Sequence, residues 1–453
     1  MMSAAQGGDI LRAPRTEVAV RATFSPPGSK SLTQRYMMLA ALADGVSTID
    51  NALDSVDTRA LAAGLAALGA GVQWPKGGPL LMHGVNGVFP GFANLDAVDG
   101  GTPARFLMAA ACLASGTSTL DGSARLRQRP MQDGVDMLNS LGADIARVGV
   151  TQLPLRITPT DLFRQGGQCT VAAHASSQFI SALLLIAPCL RGAMQVRLTG
   201  GQPSVSYIDL TVDCLRRVGV DVVWNSGGGA IHVQATRLKC FHVVIEPDAS
   251  SAAYAMALAA VVPGSEISFP NLPRSSHQPD MSVFDALIHL GARDCSRQEC
   301  AAIGFGKPLH GGVLDASRWP DGSLAVMAAA AFASAPVEIR GLSTLAAKES
   351  DRIHAMSQWL QDIGAAVESG VDWIRIHANM NAATNPNSHT RRKAIPAEIT
   401  VNPHADHRIA MSAAVAGAFR GGVCISNPGC VEKSWPSFWN DWHRLLSGMQ
   451  GNA

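Results

Sequence analysis

The chain has 453 residues, of which 47% are hydrophobic and 16% are charged, and its formal net charge is +1. This length predicts two or three domains with enough apolar side chains for a buried core. The near-neutral charge excludes a general nucleic-acid-binding or anionic-membrane surface, so any recognition of anions has to be local.

The first distinctive stretch covers residues 26–35, where two prolines and a glycine precede Lys30, Ser31 and Arg35. An apolar helix is predicted to begin here. Because a helix start presents free backbone N–H groups and a positive dipole, the stretch predicts a local site for a phosphate or a carboxylate. It is not a Walker loop, since the four-residue spacer between glycines is absent. An ordinary helix start with solvated basic residues is the alternative.

One pattern of elements then returns about six times along the chain. A polar or glycine start leads into a helix rich in Ala, Leu and Met, and a short strand and an amphipathic helix follow. The first helix of each unit is apolar nearly all round, which is typical of a helix buried inside a domain. N-cap residues are expected at every one of these starts. The predicted starts are Lys30, Gly101, Ser176, Asp248, Pro320 to Ser323, and Asp406.

The second helix of each unit is amphipathic and precedes another strand. These helices are predicted over residues 57–68, 131–141, 207–218, 281–290, 351–363 and 436–446. The first five end at glycines that fit a left-handed C-cap, namely Gly69, Gly142, Gly219, Gly291 and Gly364. The strands that follow the first helices are predicted over residues 46–49, 118–120, 195–198, 267–269, 337–339 and 423–425.

Six units are too many for one core, so we predict an α/β protein of two domains with about three units in each. A strand near residue 243 is cut by Pro247, which indicates a crossover there. One domain would comprise residues 1–26 and 246–453, and the inserted domain residues 27–245. If the strand before Pro26 pairs with the second half of the chain, the chain passes between the two domains twice. Residues 379–396 are polar and contain proline, which predicts an exposed loop.

The nine cysteines are scattered, without CxxC pairs or histidines at ligand spacing. Several lie in apolar stretches, namely Cys112, Cys189, Cys214 and Cys424. This pattern predicts free buried thiols in a reducing compartment rather than disulfides or a metal site. We expect no secretory signal, and the longest uncharged runs, near residues 169–190 and 249–266, are expected to form buried helices rather than membrane spans.

Charged residues recur at the starts of the units. The cations are Lys30, Arg35, Arg105, Arg129, Arg352, Arg408 and Lys433, and the carboxylates are Asp321, Glu349, Asp351 and Asp406. Several cations beside a few acids indicate a polyanionic substrate and proton transfer. From the residues alone, a helix cap is the favoured explanation of Asp321, and a surface ion-pair cluster at a helix start is that of Glu349, Asp351 and Arg352.

Ten motifs occur in one order along the chain. They are PGSKSLTQR (27–35), GTPAR (101–105), RQRP (127–130), SSQF (176–179), SVSYID (204–209), DASSAAY (248–254), PDGS (320–323), KESDR (348–352), DHRIAM (406–411) and EKSWP (432–436). In this order they resemble the 3-phosphoshikimate 1-carboxyvinyltransferase, or EPSP synthase, family, and the resemblance covers almost the whole chain. It implies a two-domain inside-out α/β barrel of the enolpyruvyl transferase type, with the active site in the cleft between the domains.

The resemblance also implies an activity. The enolpyruvyl group of phosphoenolpyruvate would pass to the 5-hydroxyl of shikimate 3-phosphate with release of phosphate, without a metal or an organic cofactor. It implies glyphosate as an inhibitor and a monomer in the cytoplasm, with no nucleic-acid or membrane partner. Asp321 would be the base for the hydroxyl proton, and Glu349 and Lys433 would move the methylene proton, with Lys30 also in the catalytic set.

The same resemblance assigns the two substrates to separate sets of residues. Shikimate 3-phosphate would be held by Lys30, Ser31, Arg35, Ser176, Ser177, Gln178, Ser204, Asp321 and Lys348. Phosphoenolpyruvate would be held by Lys30, Gly101, Arg105, Arg129, Gln178, Arg352, Arg408 and Lys433. His407 is assigned no proton, and Asp248 is expected only to cap a helix.

The chain departs from the family pattern Asn-Ala-Gly-Thr-Ala-Met-Arg, where it has Asp99, Gly100 and Pro103. An aspartate near the phosphoenolpyruvate site would repel an anion unless it is turned away or paired, so affinity for this substrate and tolerance of glyphosate are open hypotheses. Thr344 and Ala346 stand where the family often has Asn and a basic residue, which weakens the predicted contacts to shikimate 3-phosphate.

Three other functions remain as alternatives. The sister enolpyruvyl transferase acting on UDP-N-acetylglucosamine is disfavoured, because Ser31 follows Lys30 and residues 122–130 contain no cysteine. A paralogue that uses another hydroxylated ring acid would keep the same chemistry. A non-catalytic binding protein would be expected to have lost some of the charged residues that are present here.

Overall fold

A computed structural model describes residues 10–172, 176–199, 205–225, 229–377 and 396–448. The chain divides into two compact units. One comprises Met1–Pro27 and Pro247–Ala453 and is called here the discontinuous unit. The other comprises Gly28–Glu246 and is called the inserted unit.

Two strands of the discontinuous unit come first, β1 (Ile10–Arg12) and β2 (Arg21–Thr23). The helices of the inserted unit are α1 (Lys30–Leu42), α2 (Val56–Ala67), α3 (Gly101–Ala111), α4 (Gln132–Ser140), α5 (Asp161–Arg164), α6 (Ser177–Ile186) and α7 (Val205–Arg217). Its strands are β3 (Val46–Asp50), β4 (Gly71–Gln73), β5 (Leu80–His83), β6 (Asn94–Asp96), β7 (Ser118–Asp121), β8 (Asp144–Arg147), β9 (Leu155–Thr158), β10 (Gly167–Ala172), β11 (Met194–Thr199), β12 (Val222–Val223), β13 (Ala230–Val233) and β14 (His242–Val244).

The rest of the discontinuous unit follows. Its helices are α8 (Ala249–Val261), α9 (Ser282–His289), α10 (Ser323–Ala330), α11 (Arg352–Asp362), α12 (His407–Arg420) and α13 (Phe438–Ser447). Its strands are β15 (Glu266–Phe269), β16 (Arg293–Asp294), β17 (Ala301–Gly304), β18 (Gly312–Asp315), β19 (Val337–Arg340), β20 (Ala366–Ser369), β21 (Trp373–His377), β22 (Ile399–Val401) and β23 (Val423–Ser426).

Five sheets share one pattern of pairing, in which a parallel pair is followed by two antiparallel strands. Their strand orders are β14-β3-β5-β4, β6-β7-β9-β8, β10-β11-β13-β12, β2-β15-β17-β16 and β18-β19-β21-β20. The sheet β1-β23-β22 keeps the parallel pair and adds β1 antiparallel to β23. Each unit therefore contains three repeated β/α modules among its described residues, which confirms the predicted α/β class and repeat.

The parallel pairs also show how the chain passes between the units. Strand β2 pairs with β15, with Arg21 opposite Glu266, so the strand before Pro26 belongs to the second half as expected. Strand β14 pairs with β3, with His242 opposite Thr48. The first strand of one module in each unit is thus supplied by a distant part of the chain.

In the part of the chain that the structure describes, three helices lie inside each unit. Helices α1, α3 and α6 pack on one another in the inserted unit, and α8, α10 and α12 do so in the discontinuous unit. Every residue of α10 is buried, as the all-round apolar pattern predicts. The two long uncharged runs form α6 and α8 within these cores. Among the described residues no helix is both long enough and apolar enough to cross a membrane.

The prediction that every first helix has an N-cap side chain is only partly correct. Ser176, Asp248 and Asp406 accept hydrogen bonds from the first turns of α6, α8 and α12. No side chain caps α1, α3 or α10, because glycine precedes two of them and Ser29 makes no capping bond. The five predicted C-cap glycines all have positive φ, between 85° and 118°.

Candidate active site

Arg352, the first residue of α11, is the centre of a buried group of charges in the discontinuous unit. Its Nη1 donates to Asp321 Oδ1 over 2.7 Å, its Nη2 to Glu349 Oε2 over 2.8 Å, and its Nε to Asp406 Oδ2 over 2.8 Å. The Arg352 side chain is only 2% exposed. One guanidinium thus fixes three carboxylates that come from three different helix starts.

Three further cations contact these carboxylates. Lys348 Nζ lies 3.2 Å from Asp321 Oδ1, and Lys433 Nζ lies 3.4 Å from Glu349 Oε1. Arg408 Nη1 donates to the Asp321 carbonyl over 3.3 Å, and its Nη2 lies 3.8 Å from Asp321 Oδ2. The Arg352 cluster is defined as these seven residues, Asp321, Lys348, Glu349, Arg352, Asp406, Arg408 and Lys433. Its four cations face three carboxylates within the cluster, and Asp280 Oδ2, 3.8 Å from Arg408 Nη1, is a fourth carboxylate beside it.

Burial and the charges of the cluster shift the pKa values of Asp321, Lys348 and Arg352, and the pKa of Arg352 is raised. Burial by itself raises the pKa of Asp321, but Lys348, Arg408 and Arg352 together outweigh burial and hold the pKa well below its usual range. Burial lowers the pKa of Lys348, and the attraction of Asp321 offsets this only in part. Asp321 is therefore ionised at neutral pH, and Lys348 gives up its proton more readily than a solvated lysine does.

Asp321 is not a helix cap, since Gly322 is the residue that precedes α10. Its carboxylate instead binds Arg352 and Lys348, so the capping alternative raised by the sequence is wrong. Asp406 does cap its helix, because it accepts a hydrogen bond from Arg408 N over 3.0 Å as well as from Arg352.

A second group of charges lies in the inserted unit, at the starts of α1, α2 and α3. Lys30 Nζ is 3.2 Å from Asp57 Oδ2, whose side chain is 5% exposed. A Cβ added at Gly100 would lie 3.1 Å from Asp57 Oδ1, so this carboxylate is also close to the start of α3. Asp57 was missed by the sequence analysis, because nothing in the local pattern pairs it with a lysine 27 residues away.

Two arginines lie beside the same helix start. A Cβ added at Gly101 would lie 2.5 Å from Nη1 of Arg129, so only a residue without a side chain leaves the guanidinium in place. Arg105 bonds to the side-chain oxygen of Gln178 and donates to the Pro130 carbonyl over 3.2 Å. The structure therefore brings together residues that the resemblance assigned to one anion.

Arg35 is 3% exposed, and its guanidinium donates hydrogen bonds to groups of the inserted unit. Its Nε donates to Thr211 Oγ1 over 2.8 Å and its Nη1 to the Ser31 carbonyl over 3.0 Å, while Nη2 donates to the Tyr207 carbonyl over 3.1 Å. Burial lowers its pKa. These contacts make Arg35 a link between α1 and α7 that fixes the backbone at Ser31.

The serines predicted to hold shikimate 3-phosphate lie at the start of α6. Ser176 caps this helix through Gln178 N over 3.4 Å, and Ser177 is 5% exposed. Ser204 lies outside the described residues, as do residues 379–395 of the predicted loop. Asp248 accepts from Ser251 N over 2.7 Å, which confirms its predicted capping role.

Asp99, the main departure from the family pattern, is half-buried and paired. Its Oδ1 accepts a hydrogen bond from Ser123 Oγ over 2.8 Å. The carboxylate is therefore paired, which is one of the two conditions under which the predicted repulsion of an anion would not apply. Among the described residues no group of His, Cys, Asp and Glu has the arrangement of a metal site.

A sequence model described as "EPSP synthase (3-phosphoshikimate 1-carboxyvinyltransferase)" matches residues 14–442. The chain belongs to the EPSP synthase family. Relatives named 3-phosphoshikimate 1-carboxyvinyltransferase include one from Shewanella sp. (strain W3-18-1), 33% identical over 439 residues, which are 96% of this chain and 98% of the relative. Another, from Thiobacillus denitrificans, is 35% identical over 431 residues, which are 92% of this chain and 95% of the relative.

Two solved structures show the same fold. A structure of EPSP synthase from Acinetobacter baumannii superposes with a TM-score of 0.77 at 26% identity, covering 96% of this chain and 97% of that one. The enolpyruvyl transferase NikO from Streptomyces tendae superposes with a TM-score of 0.68 at 17% identity, covering 96% of each chain. The second likeness supports the fold alone. The predicted enolpyruvyl transferase fold is thus confirmed.

Proposed function

We infer that this member of the EPSP synthase family transfers the enolpyruvyl group of phosphoenolpyruvate to the 5-hydroxyl of shikimate 3-phosphate and releases phosphate. This is a step of the shikimate pathway toward chorismate and the aromatic amino acids. The observation that carries the inference is the Arg352 cluster, in a chain that matches the family from residue 14 to residue 442. Both substrates carry a phosphate and a carboxylate, the two groups that an arginine fork binds well.

We propose that phosphoenolpyruvate is held by cations from both units. The proposed residues are Lys30, Gly101, Arg105, Arg129, Gln178, Arg352, Arg408 and Lys433. The contact of Arg105 with Gln178 and the close approach of Arg129 to Gly101 support this set within the inserted unit. Pairing of Arg408 and Lys433 with carboxylates that also bind Arg352 supports it within the discontinuous unit. One reaction would thus require side chains of both units.

We propose that shikimate 3-phosphate is held by hydroxyl groups and by the starts of helices. The proposed residues are Lys30, Ser31, Arg35, Ser176, Ser177, Gln178, Ser204, Asp321 and Lys348. Because α1 has no side-chain cap, its first N–H groups suit a phosphate ester. Arg35 would act here through the Ser31 carbonyl that it binds, rather than by direct contact.

The proposed chemistry is an addition followed by an elimination. A proton is added to the methylene carbon of phosphoenolpyruvate, and the 5-hydroxyl attacks C2 and loses its own proton. The tetrahedral intermediate then loses phosphate and one proton of the new methyl group. Lys433 and Glu349, 3.4 Å apart, are the proposed pair for the carbon-bound proton. The arginines would stabilise the charge of the leaving phosphate.

Asp321 is the proposed base for the hydroxyl proton. The charges around Asp321 make its basicity depend on whether the substrates are bound. In the free protein three cations hold its pKa well below the usual range, even though burial opposes them. Two bound anions would offset the charges of Lys348 and Arg408, so the pKa of Asp321 would rise toward that of an ordinary carboxyl. The carboxylate would then become a competent base only after both substrates are bound.

We propose further that the protein acts in the cytoplasm as a monomer and is inhibited by glyphosate. All nine cysteines, which lie in the described residues, are free, as expected in a reducing compartment. The monomer rests on the resemblance to the family. The inhibition by glyphosate likewise rests on the resemblance to the family.

The product identifies the reaction. The purified protein is incubated with phosphoenolpyruvate and shikimate 3-phosphate, and the mixture is analysed by mass spectrometry for the enolpyruvyl ether. UDP-N-acetylglucosamine and unphosphorylated shikimate serve as competing acceptors. Ether formation with shikimate 3-phosphate alone is expected. An ether formed only with another acceptor would assign the chain to one of the alternative enolpyruvyl transferases.

A further inference from the structure

Asp280, in the 3-10 turn Pro279–Met281, is a buried carboxylate that no role assigned above includes. It is 1% exposed. Its Oδ2 accepts a hydrogen bond from Ser250 Oγ, and its Oδ1 accepts one from Gly322 N over 3.1 Å. Arg408 Nη1 lies 3.8 Å from its Oδ2. A buried carboxylate is costly unless it has such partners, so its presence calls for an explanation.

The partners of Asp280 mark the starts of the three helices inside the discontinuous unit. Ser250 is the second residue of α8, Gly322 immediately precedes α10, and Arg408 is the second residue of α12. Gln278, two residues earlier, accepts from Ala249 N over 3.0 Å and so adds a second bond to the start of α8. One short turn therefore connects the helix starts that carry Asp321 and Arg408.

The glycine before α10 is an independent sign of how close this contact is. A Cβ added at Gly322 would lie 3.0 Å from Cγ and Oδ1 of Asp280 and 2.6 Å from Cγ2 of Val283. Both distances are shorter than ordinary van der Waals contact. A side chain at this position would therefore displace Asp280 or Val283 without altering any charge.

Arg408 lies between two carboxylates. Its Nη1 faces Asp280 Oδ2 at 3.8 Å and the Asp321 carbonyl at 3.3 Å, and its Nη2 faces Asp321 Oδ2 at 3.8 Å. Two anionic groups in different directions fix a guanidinium better than one, because one alone leaves it free to swing. The position of Arg408 thus depends on Asp280 as well as on Asp321.

We propose that Asp280 is a positioning residue, which holds Arg408 against Asp321 and thereby sets the affinity for phosphoenolpyruvate. The inference rests on the proposed function, in which Arg408 binds this substrate. A displacement of a binding group by about 1 Å costs up to about 100-fold in rate. A simpler explanation is that Asp280 only neutralises part of the positive charge of Arg408. In that case, removing the charge of Asp280 would tighten anion binding.

These two explanations are distinguished by two variants that retain the negative charge of Asp280. Asp280→Glu moves the carboxylate by one methylene, and Gly322→Ala displaces it sterically. Both are expected to raise KM for phosphoenolpyruvate at least tenfold and to leave KM for shikimate 3-phosphate within twofold. Asp280→Asn, nearly isosteric, is expected to raise the same KM. Asp285→Asn, an exposed carboxylate of α9, is the matched control and should change neither constant.

The outcomes decide the proposal. A fall of KM for phosphoenolpyruvate in Asp280→Asn would overturn the proposal and show that Asp280 only neutralises part of the charge of Arg408. Equal rises in both KM values, with lower denaturation midpoints, would overturn it in favour of a purely structural role. If the wild-type protein shows no turnover, the proposed function fails, and crystal structures of wild type and Asp280→Asn still test the positioning. Arg408 Nη1 is expected to leave the Asp321 carbonyl by more than about 1 Å, and an unmoved guanidinium would contradict the proposal.

Discussion

Substitution of Gly101 by alanine tests the proposed phosphoenolpyruvate site with a single methyl group. The added Cβ would lie 2.5 Å from Nη1, 2.7 Å from Cζ and 2.9 Å from Nη2 of Arg129. Ordinary contact begins at 3.4 Å, so the guanidinium has to move by about 1 Å. Because it is the end of a flexible side chain, it can do so without disturbing the core.

The expected loss follows from that displacement. A shift of about 1 Å in a group that positions substrate costs up to about 100-fold, which is about 2.7 kcal/mol of transition-state stabilisation. The stability of the fold should not fall, since Gly101 is the first residue of α3 and the atoms that meet the added Cβ are the end of a flexible side chain. We therefore expect kcat/KM for phosphoenolpyruvate to fall while the midpoint of denaturation is unchanged.

The assay measures kcat/KM for phosphoenolpyruvate at saturating shikimate 3-phosphate in Gly101→Ala, Arg129→Lys and the double variant. If the methyl group acts through Arg129, the effects will not add. Gly429→Ala is the control, because an added Cβ there meets no atom within 4 Å. A change of less than about threefold in Gly101→Ala, or additive effects, would refute the reasoning.

Three further predictions concern the carboxylates Asp321, Asp99 and Asp280. Asp321→Asn should still bind shikimate 3-phosphate in calorimetry but lose turnover, and near-normal turnover would remove Asp321 from the role of base. Asp99→Asn tests whether the charge of this paired carboxylate acts on the site: unchanged KM for phosphoenolpyruvate and an unchanged glyphosate inhibition curve are expected if pairing removes its effect, and a fall of both would contradict this. Burial, partly offset by Arg408, raises the pKa of Asp280 to about 6, with Asp321 and Asp248 also facing it. Because the folded state holds this proton more tightly than the unfolded state, the wild-type protein loses stability as pH rises and Asp280 ionises. The unfolding free energy of Asp280→Asn, measured with urea, should therefore gain about 1 kcal/mol relative to that of wild type between pH 5 and pH 7.5. A difference that does not depend on pH would contradict the raised pKa.

The repeated architecture could be predicted from the sequence because its signals are local. A helix such as α10 is apolar on every face, and a glycine such as Gly364 ends the amphipathic helix of the same module. Both patterns depend on neighbouring residues alone. Helix caps were predicted less well, because a serine or aspartate near a helix start need not cap it: Ser29 makes no capping bond, and Asp321 pairs with Arg352 instead.

The partners within the candidate site could not be predicted, because they come from distant parts of the chain. Asp57 pairs with Lys30 across 27 residues, and Asp280 contacts Arg408 across a still longer separation. Each carboxylate alone has the sequence pattern of a helix start or turn. The motifs could place Arg352 in a site, but only the folded modules show that it binds three carboxylates at once.

The inferred transfer reaction is tested most directly by phosphate release. The purified protein is mixed with phosphoenolpyruvate and shikimate 3-phosphate together and with each substrate alone, and inorganic phosphate is followed with time. Release only when both are present, one phosphate for each enolpyruvyl ether formed, is the expected result. Release from phosphoenolpyruvate alone at the same rate, or no release although both substrates bind, would contradict the inferred function.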